Sequence, residues 1–473
     1  MTDDRFDREM AERLRAYESR LPDAASPSTG AAGPSGVPRW PIIGFGALAG
    51  VAAILLLAVL IRGSADENIG DASASPVPSA SAGASEAAPS PSADPAESVG
   101  PTPTPKPTAS GPEPTVDLSW SETASFGSPD TPSVVNDVVQ SDGGLVAVGA
   151  QYEHPLPNVG PTPPHEGRVW LATDLGNWED VTPESIFANA ELRQLLTTSD
   201  RRIIAHGWVD TDDLGGRRPA AWESIAGQRW EEIDTGFPDQ AWPMSVAQGA
   251  RGYVAIIVEP EAPTMAVWWS ADGRAWERVH DLGAEGGYSV GAGDEGFVVA
   301  GWRTAAQEPR TLASGDGRSW IEANPPPGIV AALSPRGGDW LAVVRDPEIP
   351  IGEPSTAGVW SSLNGLEWAS SGFVPLEARD GVCTEWPTSL YAAGPWLIAG
   401  TIMSYPCSEG GFQTHGAQRI SLDGIEWSEL PFAPASEEGN LGTRIAGAIV
   451  IDGRLVLVGE RDRVATFWIG EQP

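Results

Sequence analysis

Hydrophobic residues follow three different patterns along this chain of 473 residues. Residues 40–61, WPIIGFGALAGVAAILLLAVLI, are apolar without interruption and are bracketed by Arg39 and Arg62. Residues 63–115 are rich in Pro, Ser and Ala and contain almost no aromatic or branched apolar side chains. From residue 116 onward, short β-rich runs such as GLVAVG and GFVVAG alternate with turn signals, without helical periodicity. We therefore predict a membrane-spanning helix, a disordered stalk and an all-β domain.

The apolar run predicts a single transmembrane helix over residues 40–62. At about 1.5 Å per residue it spans the roughly 30 Å hydrocarbon core of a bilayer. A cleaved signal peptide is the alternative, but its apolar region would be shorter and nearer the N-terminus. Arginines precede the helix at positions 5, 8, 13, 15, 20 and 39, whereas Arg62 and Lys106 are the only bases between the helix and residue 116. Positive charge stays inside, so we expect residues 1–39 in the cytoplasm and the β domain outside the plasma membrane.

The segments on either side of this helix have different expected roles. Residues 6–21 carry apolar side chains every three to four positions, which predicts a short amphipathic helix. Residues 4–21 would dock a cytoplasmic partner or lie on the inner leaflet; a frayed helix without a partner is the alternative. Residues 63–115 cannot bury enough apolar surface to offset the entropy of ordering, and their prolines favour an extended stalk.

A tryptophan-terminated motif recurs through the β domain and has the form Ser-x-Asp-Gly-x-x-Trp. We call this segment the box turn. The closing residues are Trp178, Trp230, Trp276, Trp320, Trp368 and Trp427. The acid or amide before the glycine is Asp272, Asp316, Asn364 or Asp423, whereas the first copy reads Asp174-Leu175-Gly176 and the second has Ala226. Asp-Gly or Asn-Gly between β-rich runs predicts a tight hairpin with positive φ at both central residues.

Four strand signals fall in each repeat, which is typical of a β-propeller blade. Counting the strand signal before each box turn gives seven units, and the last unit stops one strand short. The segment 117–126 supplies the missing strand and places Trp120 where a closing tryptophan is expected. We therefore predict a seven-bladed β-propeller over residues 116–473, closed by pairing Trp120 with the segment around Phe467; six or eight blades are the alternatives.

The box turn resembles the Asp-box repeat of sialidase-like β-propellers, the BNR group. The resemblance covers residues 117–473 as a repeat, although the usual Asp-box has one further residue between Asp and Gly. It implies that Ser and Asp fix the turn while Trp packs between blades. It also raises the prospect of a sialidase site, which uses three arginines, a Tyr with a Glu, and an Asp acid. The expected inner strands supply only Arg193 and Arg444, so we expect a non-catalytic, membrane-anchored relative.

Other candidate sites in the sequence are weak. His154 and His165 share a loop in which a metal ion could be held, but we favour the interpretation that it is a Pro-rich surface loop. Asp210, Asp212 and Asp213 crowd three carboxylates together but lack the rest of a calcium loop. No nucleotide, zinc-protease or nucleophile-elbow motif appears. We therefore expect no catalytic residue, no metal and no cofactor.

Cys383 and Cys407 are the two cysteines of the chain, and both fall in the expected extracellular domain, within one blade. We expect them to form a disulfide, which would contribute roughly 3 kcal/mol by the chain-entropy model. The alternative is two small buried side chains that never touch.

The net charge of the chain limits the kinds of partner that it can bind. The formal charge is −35 and the pI is near 4.3, which excludes nucleic acid because nothing neutralises a run of phosphates. The long connections at 151–167, 209–219, 345–358 and 403–418 all join second to third strands and should share one face. We expect a binding module for an extracellular protein or glycan. The alternatives are an extracellular glycan hydrolase and a transmembrane sensor that signals through residues 6–21.

Overall fold

The computed structural model describes residues 117–154, 164–183, 185–211, 216–259, 264–284, 286–303, 308–345, 355–376, 384–405, 412–433 and 442–472. No helix within these ranges is long and apolar enough to cross a membrane. The predicted cytoplasmic segment 1–39, the transmembrane helix 40–62 and the stalk 63–115 lie outside the described residues. The same is true of Cys383 and Cys407, so the disulfide stays a prediction.

The repeats fold as antiparallel sheets in which the strands follow chain order from the propeller axis outward. Blade 1 contains β2 (Ser133–Ser141), β3 (Gly144–Tyr152), β4 (His165–Ala172) and β5 (Trp178–Asp180). Blade 2 contains β6 (Ala190–Thr197), β7 (Arg202–Asp210), β8 (Arg217–Ile225) and β9 (Arg229–Ile233). Blade 3 contains β10 (Trp242–Gly249), β11 (Gly252–Glu259), β12 (Thr264–Ser270) and β13 (Glu277–Ala284). Blade 4 contains β14 (Tyr288–Gly293), β15 (Gly296–Arg303), β16 (Glu308–Ser314) and β17 (Ile321–Ala323).

The remaining three blades have the same order with two modifications. Blade 5 contains β18 (Ile329–Arg336), β19 (Asp339–Arg345), β20 (Ser355–Ser362) and β21 (Ala369–Leu376). Blade 6 contains β22 (Thr384–Ala393), β23 (Trp396–Tyr405), β24 (Phe412–His415), β25 (Arg419–Ser421) and β26 (Ser428–Glu429). Its third position is shared by β24 and β25, which both pair with β23. Blade 7 contains β27 (Thr443–Ile451), β28 (Arg454–Arg461), β29 (Val464–Glu471) and β1 (Ser119–Phe126).

Blade 7 closes the ring with strands from both ends of the described domain. β1 pairs antiparallel with β29, with Ala124 opposite Phe467 and Trp120 opposite Gly470. The described residues thus form seven blades, and the predicted seven-bladed all-β architecture is confirmed. Because the outer strand of blade 7 comes from the beginning of the domain, β29 is left with no open sheet edge.

The first strands of neighbouring blades surround the axis and are joined by hydrogen bonds. The amide of Leu195 in blade 2 donates to the Asp137 carboxylate of blade 1 at 2.8 Å. In blade 7, Arg444 donates to the Val135 carbonyl of blade 1 at 3.1 Å, which completes the circle. Apolar clusters fill the spaces between blades; Phe467 of blade 7, for example, stacks on Trp178 of blade 1 at 4.2 Å between ring centroids. The core is therefore divided among the interfaces between sheets.

The box turns differ from the predicted two-residue hairpins. In blade 3, the Ser270 hydroxyl accepts from the Gly273 amide at 2.9 Å, and Asp272 Oδ1 accepts from Arg274 at 2.9 Å. Of the two central residues, only the glycine has positive φ in the turns of blades 3 to 6, with values of 79°, 77°, 71° and 80°. The prediction of positive φ at both residues was wrong for these four turns. Two side-chain acceptors hold a longer turn, so the acidic residue keeps an ordinary backbone conformation.

Tryptophan closes most of these turns from the outer strand. The indole nitrogens of Trp230, Trp276, Trp320 and Trp427 each donate to the carbonyl of their own box glycine, at 2.9 to 3.1 Å. Trp276 also packs against the His206 ring of blade 2, with centroids 5.6 Å apart. Trp120 instead contacts Phe432 of blade 6 at 5.1 Å. A box turn thus contacts its own outer strand and the blade that precedes it.

Candidate functional site on the loop face

The antiparallel order of each blade divides the connections between two faces of the propeller. Connections from second to third strands, and from each outer strand to the next blade, emerge on one face, which we call the loop face. First-to-second connections and the box turns emerge on the opposite, hairpin face. The long connections predicted to share one face do join second to third strands, although residues 155–163, 212–215, 346–354 and 406–411 of them are outside the described ranges.

A buried carboxylate lies between blades 1 and 2 at the loop face. Glu191, near the start of β6, is 5% exposed; it accepts from the Tyr152 hydroxyl at 3.2 Å and from Arg193 Nη1 at 2.6 Å. Burial alone would raise the pKa of Glu191, but Arg193, with His165 and Arg217 further away, holds that pKa below its ordinary value. Burial and the adjacent Glu191 raise the pKa of Tyr152 well above 10. At neutral pH the pair is a carboxylate with a protonated phenol.

Two arginines hold the indole of Trp208 beside this carboxylate. The guanidinium of Arg193 lies 4.7 Å from the ring centroid, and that of Arg217 lies 4.6 Å from it. Arg217 Nε in turn lies 3.2 Å from Asp210 Oδ1, and the His165 imidazole lies 3.8 Å from the same carboxylate. Planar guanidinium groups favour such stacking because the aromatic face carries partial negative charge.

A second polar cluster joins blades 6, 7 and 1. Glu460 Oε1 lies 3.2 Å from Arg444 Nε and 3.3 Å from His415 Nε2. Arg444 Nη2 donates to Asn136 Oδ1 at 3.2 Å, in addition to the Val135 carbonyl. Burial would raise the pKa of Glu460, but Arg444 and His415 lower it below its ordinary value. Arg444 therefore joins the last blade to the first.

Blade 6 contains a third, fully enclosed ion pair. The side chains of Glu385 and Arg419 are 2% and 3% exposed, and their nearest atoms are 3.2 Å apart. The Thr401 hydroxyl also donates to Glu385. A pair so deeply buried is inaccessible to a ligand, so we assign it to the internal structure of the blade.

One large aromatic side chain at the loop face remains open to solvent. Trp386, near the start of β22, is 40% exposed, and the Arg345 guanidinium of blade 5 lies over it at 3.8 Å. Trp242 occupies the matching position of β10 but is only partly exposed and packs within the core between blades 3 and 4. Among the described inner strands, Trp386 is the only large hydrophobic side chain exposed at this face.

The structure brings together some of the residues singled out in the sequence and separates others. Arg193 and Arg444 both lie at the loop face, but in different clusters, and both bind carboxylates of this chain. Asp210 bonds Arg217, whereas Asp212 and Asp213 are outside the described ranges. His165 is buried against Tyr152, with ring centroids 5.3 Å apart. No three His, Asp or Glu side chains of the described segments converge as metal ligands.

Several residues that build these clusters, among them Tyr152, Glu191 and Glu460, carry no signal in the sequence. Tyr152 and Glu191 stand 39 residues apart and meet only because β3 and β6 belong to neighbouring blades. Trp386 carries a weak signal: it lies before a proline and outside the tryptophan repeat. Its exposure depends on the space left by blade 5, which no local pattern encodes.

Comparisons with known proteins identify no family for this chain. No family model and no curated protein matches the chain. Solved structures similar to it include virginiamycin B lyase from Staphylococcus aureus, at 10% identity and a TM-score of 0.46, covering 74% of this chain and 99% of that one. The propeller domain of the Trilobed protease from Pyrococcus furiosus has 10% identity and a TM-score of 0.43, covering 72% and 97%. A GH93 α-L-arabinofuranosidase from Fusarium graminearum has 12% identity and a TM-score of 0.40, covering 74% and 97%. The resemblance to sialidase-like propellers is not confirmed.

Proposed function

We propose that the chain is a membrane-anchored module that presents its propeller outside the cell and binds a protein or glycan on the loop face. The observation that carries this proposal is the exposed indole of Trp386 under the Arg345 guanidinium, 3.8 Å away. An aromatic ring at the loop-face end of an inner strand, paired with a cation, offers a stacking surface to sugar rings or to side chains of a partner.

The two charged clusters of the loop face support binding over catalysis. Glu191 is bonded to Arg193 and Tyr152, and Glu460 is bonded to Arg444 and His415, so each carboxylate has cationic partners within the chain. Their pKa values are lowered, whereas a catalytic acid would need a raised pKa. Both carboxylates therefore act here as fixed anions that orient arginines.

The test is a ligand screen on the full-length chain in detergent, using glycan arrays and cell-surface extracts. Trp386→Ala should abolish the binding found, and Trp386→Phe should retain most of it because the ring is kept. Leu363→Ala is the matched control, since Leu363 is 73% exposed on the hairpin face. Binding that is retained by Trp386→Ala but lost in Leu363→Ala would place the ligand on the hairpin face and contradict the proposal.

Glycan hydrolysis is the second candidate function, and one geometric observation favours it. The Tyr152 hydroxyl lies 3.2 Å from Glu191, and Arg193 stands beside them, which brings together three of the residue types that sialidase-like enzymes use. Tyr152 is only 4% exposed, however, so a substrate could not reach the phenol without a rearrangement of the loop face. Turnover of a glycoside panel that disappears in Tyr152→Phe would favour hydrolysis over the binding module.

A further inference from the structure

The box turns fill the grooves between blades on the hairpin face by a common pairing. The residue after the box glycine faces the residue before the box serine of the preceding blade. Between blades 2 and 3 these residues are Arg274 and Glu223, which form an ion pair. Between blades 3 and 4 they are Arg318 and Trp269, and the guanidinium lies 3.8 Å from the indole centroid.

The next interface uses the same positions with apolar side chains. Leu366 of blade 5 packs in one cluster with Ala313 of blade 4 and with Trp340. The groove is filled in each of these three interfaces by complementary partners: ion pair, cation on aromatic, or apolar contact. We expect an interface that lacks such a match to leave part of this groove open.

Blades 5 and 6 lack the match. The corresponding positions hold Ser361, which is short, and Ile425, which is 48% exposed. A methyl group built on Gly424 would lie 3.8 Å from Val359 of blade 5, whereas one on Gly365 would lie only 2.3 Å from Val298 of blade 4. The side chains at this turn therefore leave space beside blade 5, although Arg336 and Phe373 of blade 5 still donate to its backbone carbonyls.

An open cleft of about 470 Å³ occupies this position. Its lining includes the apolar residues Leu341 and Val359 of blade 5 and Leu397 of blade 6, together with the acidic residues Asp339 and Asp423. At its outer end, the Phe373 amide of blade 5 donates to the Gly424 carbonyl at 3.0 Å, which ties the two blades together. A cleft of this size, partly apolar and with a few charged groups, is of the kind that holds a small group or a side chain.

The charged groups of the cleft favour a cation. Asp339 is exposed, and its carboxylate forms no ion pair or hydrogen bond with another group of the described chain. Asp423 Oδ1 accepts from the amides of Ile425 and Glu426, which helps to lower its pKa against the raising effect of burial, so the carboxylate stays ionised. The guanidinium of Arg336 also lines the cleft, but it donates to the carbonyls of Pro395 and Leu422, at 3.1 and 2.7 Å. Two carboxylates thus face one guanidinium that is already bonded.

We propose that the cleft between blades 5 and 6 binds a guanidinium group carried on a short apolar stem, as on an arginine side chain of a partner or a free alkylguanidine. The ligand would occupy the place that Arg274 and Arg318 occupy at the two earlier interfaces. Its charge would face Asp339 and Asp423, and its stem would lie on the apolar part of the cleft. This site is on the hairpin face and is independent of the binding proposed for the loop face.

The experiment uses saturation-transfer NMR on the full-length chain in detergent with agmatine, a blocked arginine amide and butyrate as probes. We expect agmatine and the arginine amide to show saturable transfer and butyrate to show none. Binding of the arginine amide alone would identify a peptide arginine as the source, and binding of agmatine alone a free guanidine. Equal transfer to butyrate, or no transfer to either cation, would overturn the proposal.

Substitutions test whether the probes bind in this cleft. Ile425→Arg supplies the guanidinium from within, as blades 3 and 4 do, and should weaken agmatine binding by about tenfold or more while keeping the fold. Gln228→Arg is the matched control because it adds the same charge at the same turn position of blade 2. Ser361→Trp, which copies Trp269, fills the cleft by a second route and should also abolish binding. Unchanged agmatine binding in both Ile425→Arg and Ser361→Trp, with the fold intact by circular dichroism, would exclude this cleft.

Discussion

Ala124 lies directly opposite Phe467 in the antiparallel pairing that joins β1 to β29. The two residues are separated by almost the whole domain in sequence, yet they are neighbours in the outer half of blade 7. Phe467 is fully buried and also contacts Phe126 at 5.9 Å and Trp170 of blade 1 at 5.9 Å. The closing strand therefore covers a core shared by the last blade and the first.

Deleting residues 117–126 should lower the thermal midpoint by about 5 °C or more, because β29 becomes an open edge and Phe467 loses its cover. The measurement is circular dichroism melting of the full-length chain with and without this segment. Deleting residues 100–109 removes the same length of stalk and serves as the control. Equal midpoints for the two deletions would contradict a stabilising role for the closing strand.

Asp316 in the box turn of blade 4 should stabilise the domain through its carboxylate oxygen. Its Oδ1 accepts from the amides of Arg318 and Ser319, at 2.8 and 2.7 Å. Asp316→Ala should cost about 1 kcal/mol because both amides lose their acceptor. Asp316→Asn should cost less, since Asn364 makes the same two bonds in blade 5. Urea unfolding of the variants compares them, and an alanine variant as stable as wild type would refute the role of these bonds.

The Asp316 carboxylate also predicts a pH dependence. The amides of Ser319 and Arg318 lower its pKa from 3.8 to about 2 in the folded chain. A depressed carboxylate pKa stabilises the fold above the unfolded pKa, and this stabilisation is lost as the pH falls through the folded pKa. The difference in midpoint between wild type and Asp316→Asn should therefore be constant above a pH of about 4.5 and shrink below 3.8. A midpoint difference that grows as the pH falls would contradict the lowered pKa of Asp316.

His206 should make the domain less stable in mild acid. The imidazole is 1% exposed, packs against Phe237 and Trp276, and has its pKa lowered by burial from 6.5 to about 4. Between these two pKa values the His206 imidazole is protonated in the unfolded chain but neutral in the folded chain. The stability of the fold therefore falls as the pH drops from 6.5 toward 4. At a pH below both pKa values, the loss of unfolding free energy is on the order of 3 kcal/mol.

His206→Phe keeps an aromatic ring at this position and removes the titration. Midpoints of wild type and variant should diverge between pH 7 and pH 5 in the direction of greater acid sensitivity for wild type. Taking the difference removes the opposite contribution of Asp137, whose pKa is raised by burial to about 7 and which destabilises the fold as the pH rises. Parallel pH profiles for the two proteins would show that His206 does not titrate as proposed.

Arg193 and Glu191 should respond unequally to substitution. Arg193→Met leaves a buried carboxylate without its closest cation, which typically costs about 3–5 kcal/mol. Glu191→Gln retains an acceptor for Tyr152 and leaves Arg193, 23% exposed, able to reach water, so its cost should be smaller. Chemical denaturation ranks the two variants. A larger loss for Glu191→Gln would mean that the ion pair is not what holds this corner of the loop face.

The number of blades and the closure of the ring could be predicted from local sequence patterns. Turn residues and strand patterns act over a few positions, so the repeat of Gly and Trp could be read directly, and the missing strand before residue 127 followed from counting. The conformation of the box turn did not follow from the same local patterns. Asp-Gly predicts a two-residue hairpin, whereas Ser270 and Asp272 accept backbone hydrogen bonds that stabilise a longer turn.

Which side chains meet at the blade interfaces could not be predicted from the sequence, because it depends on how the sheets pack. Tyr152 with Glu191, and Arg444 with Asn136, are contacts between different sheets, and their geometry depends on how far each sheet rotates about the axis. The cleft beside Ser361 and the exposure of Trp386 both depend on space that the side chains of a neighbouring blade leave empty. The periodic pattern predicts the strands because each strand is formed by residues that are close together in sequence. A gap or a buried ion pair depends instead on the packing of residues far apart in the chain.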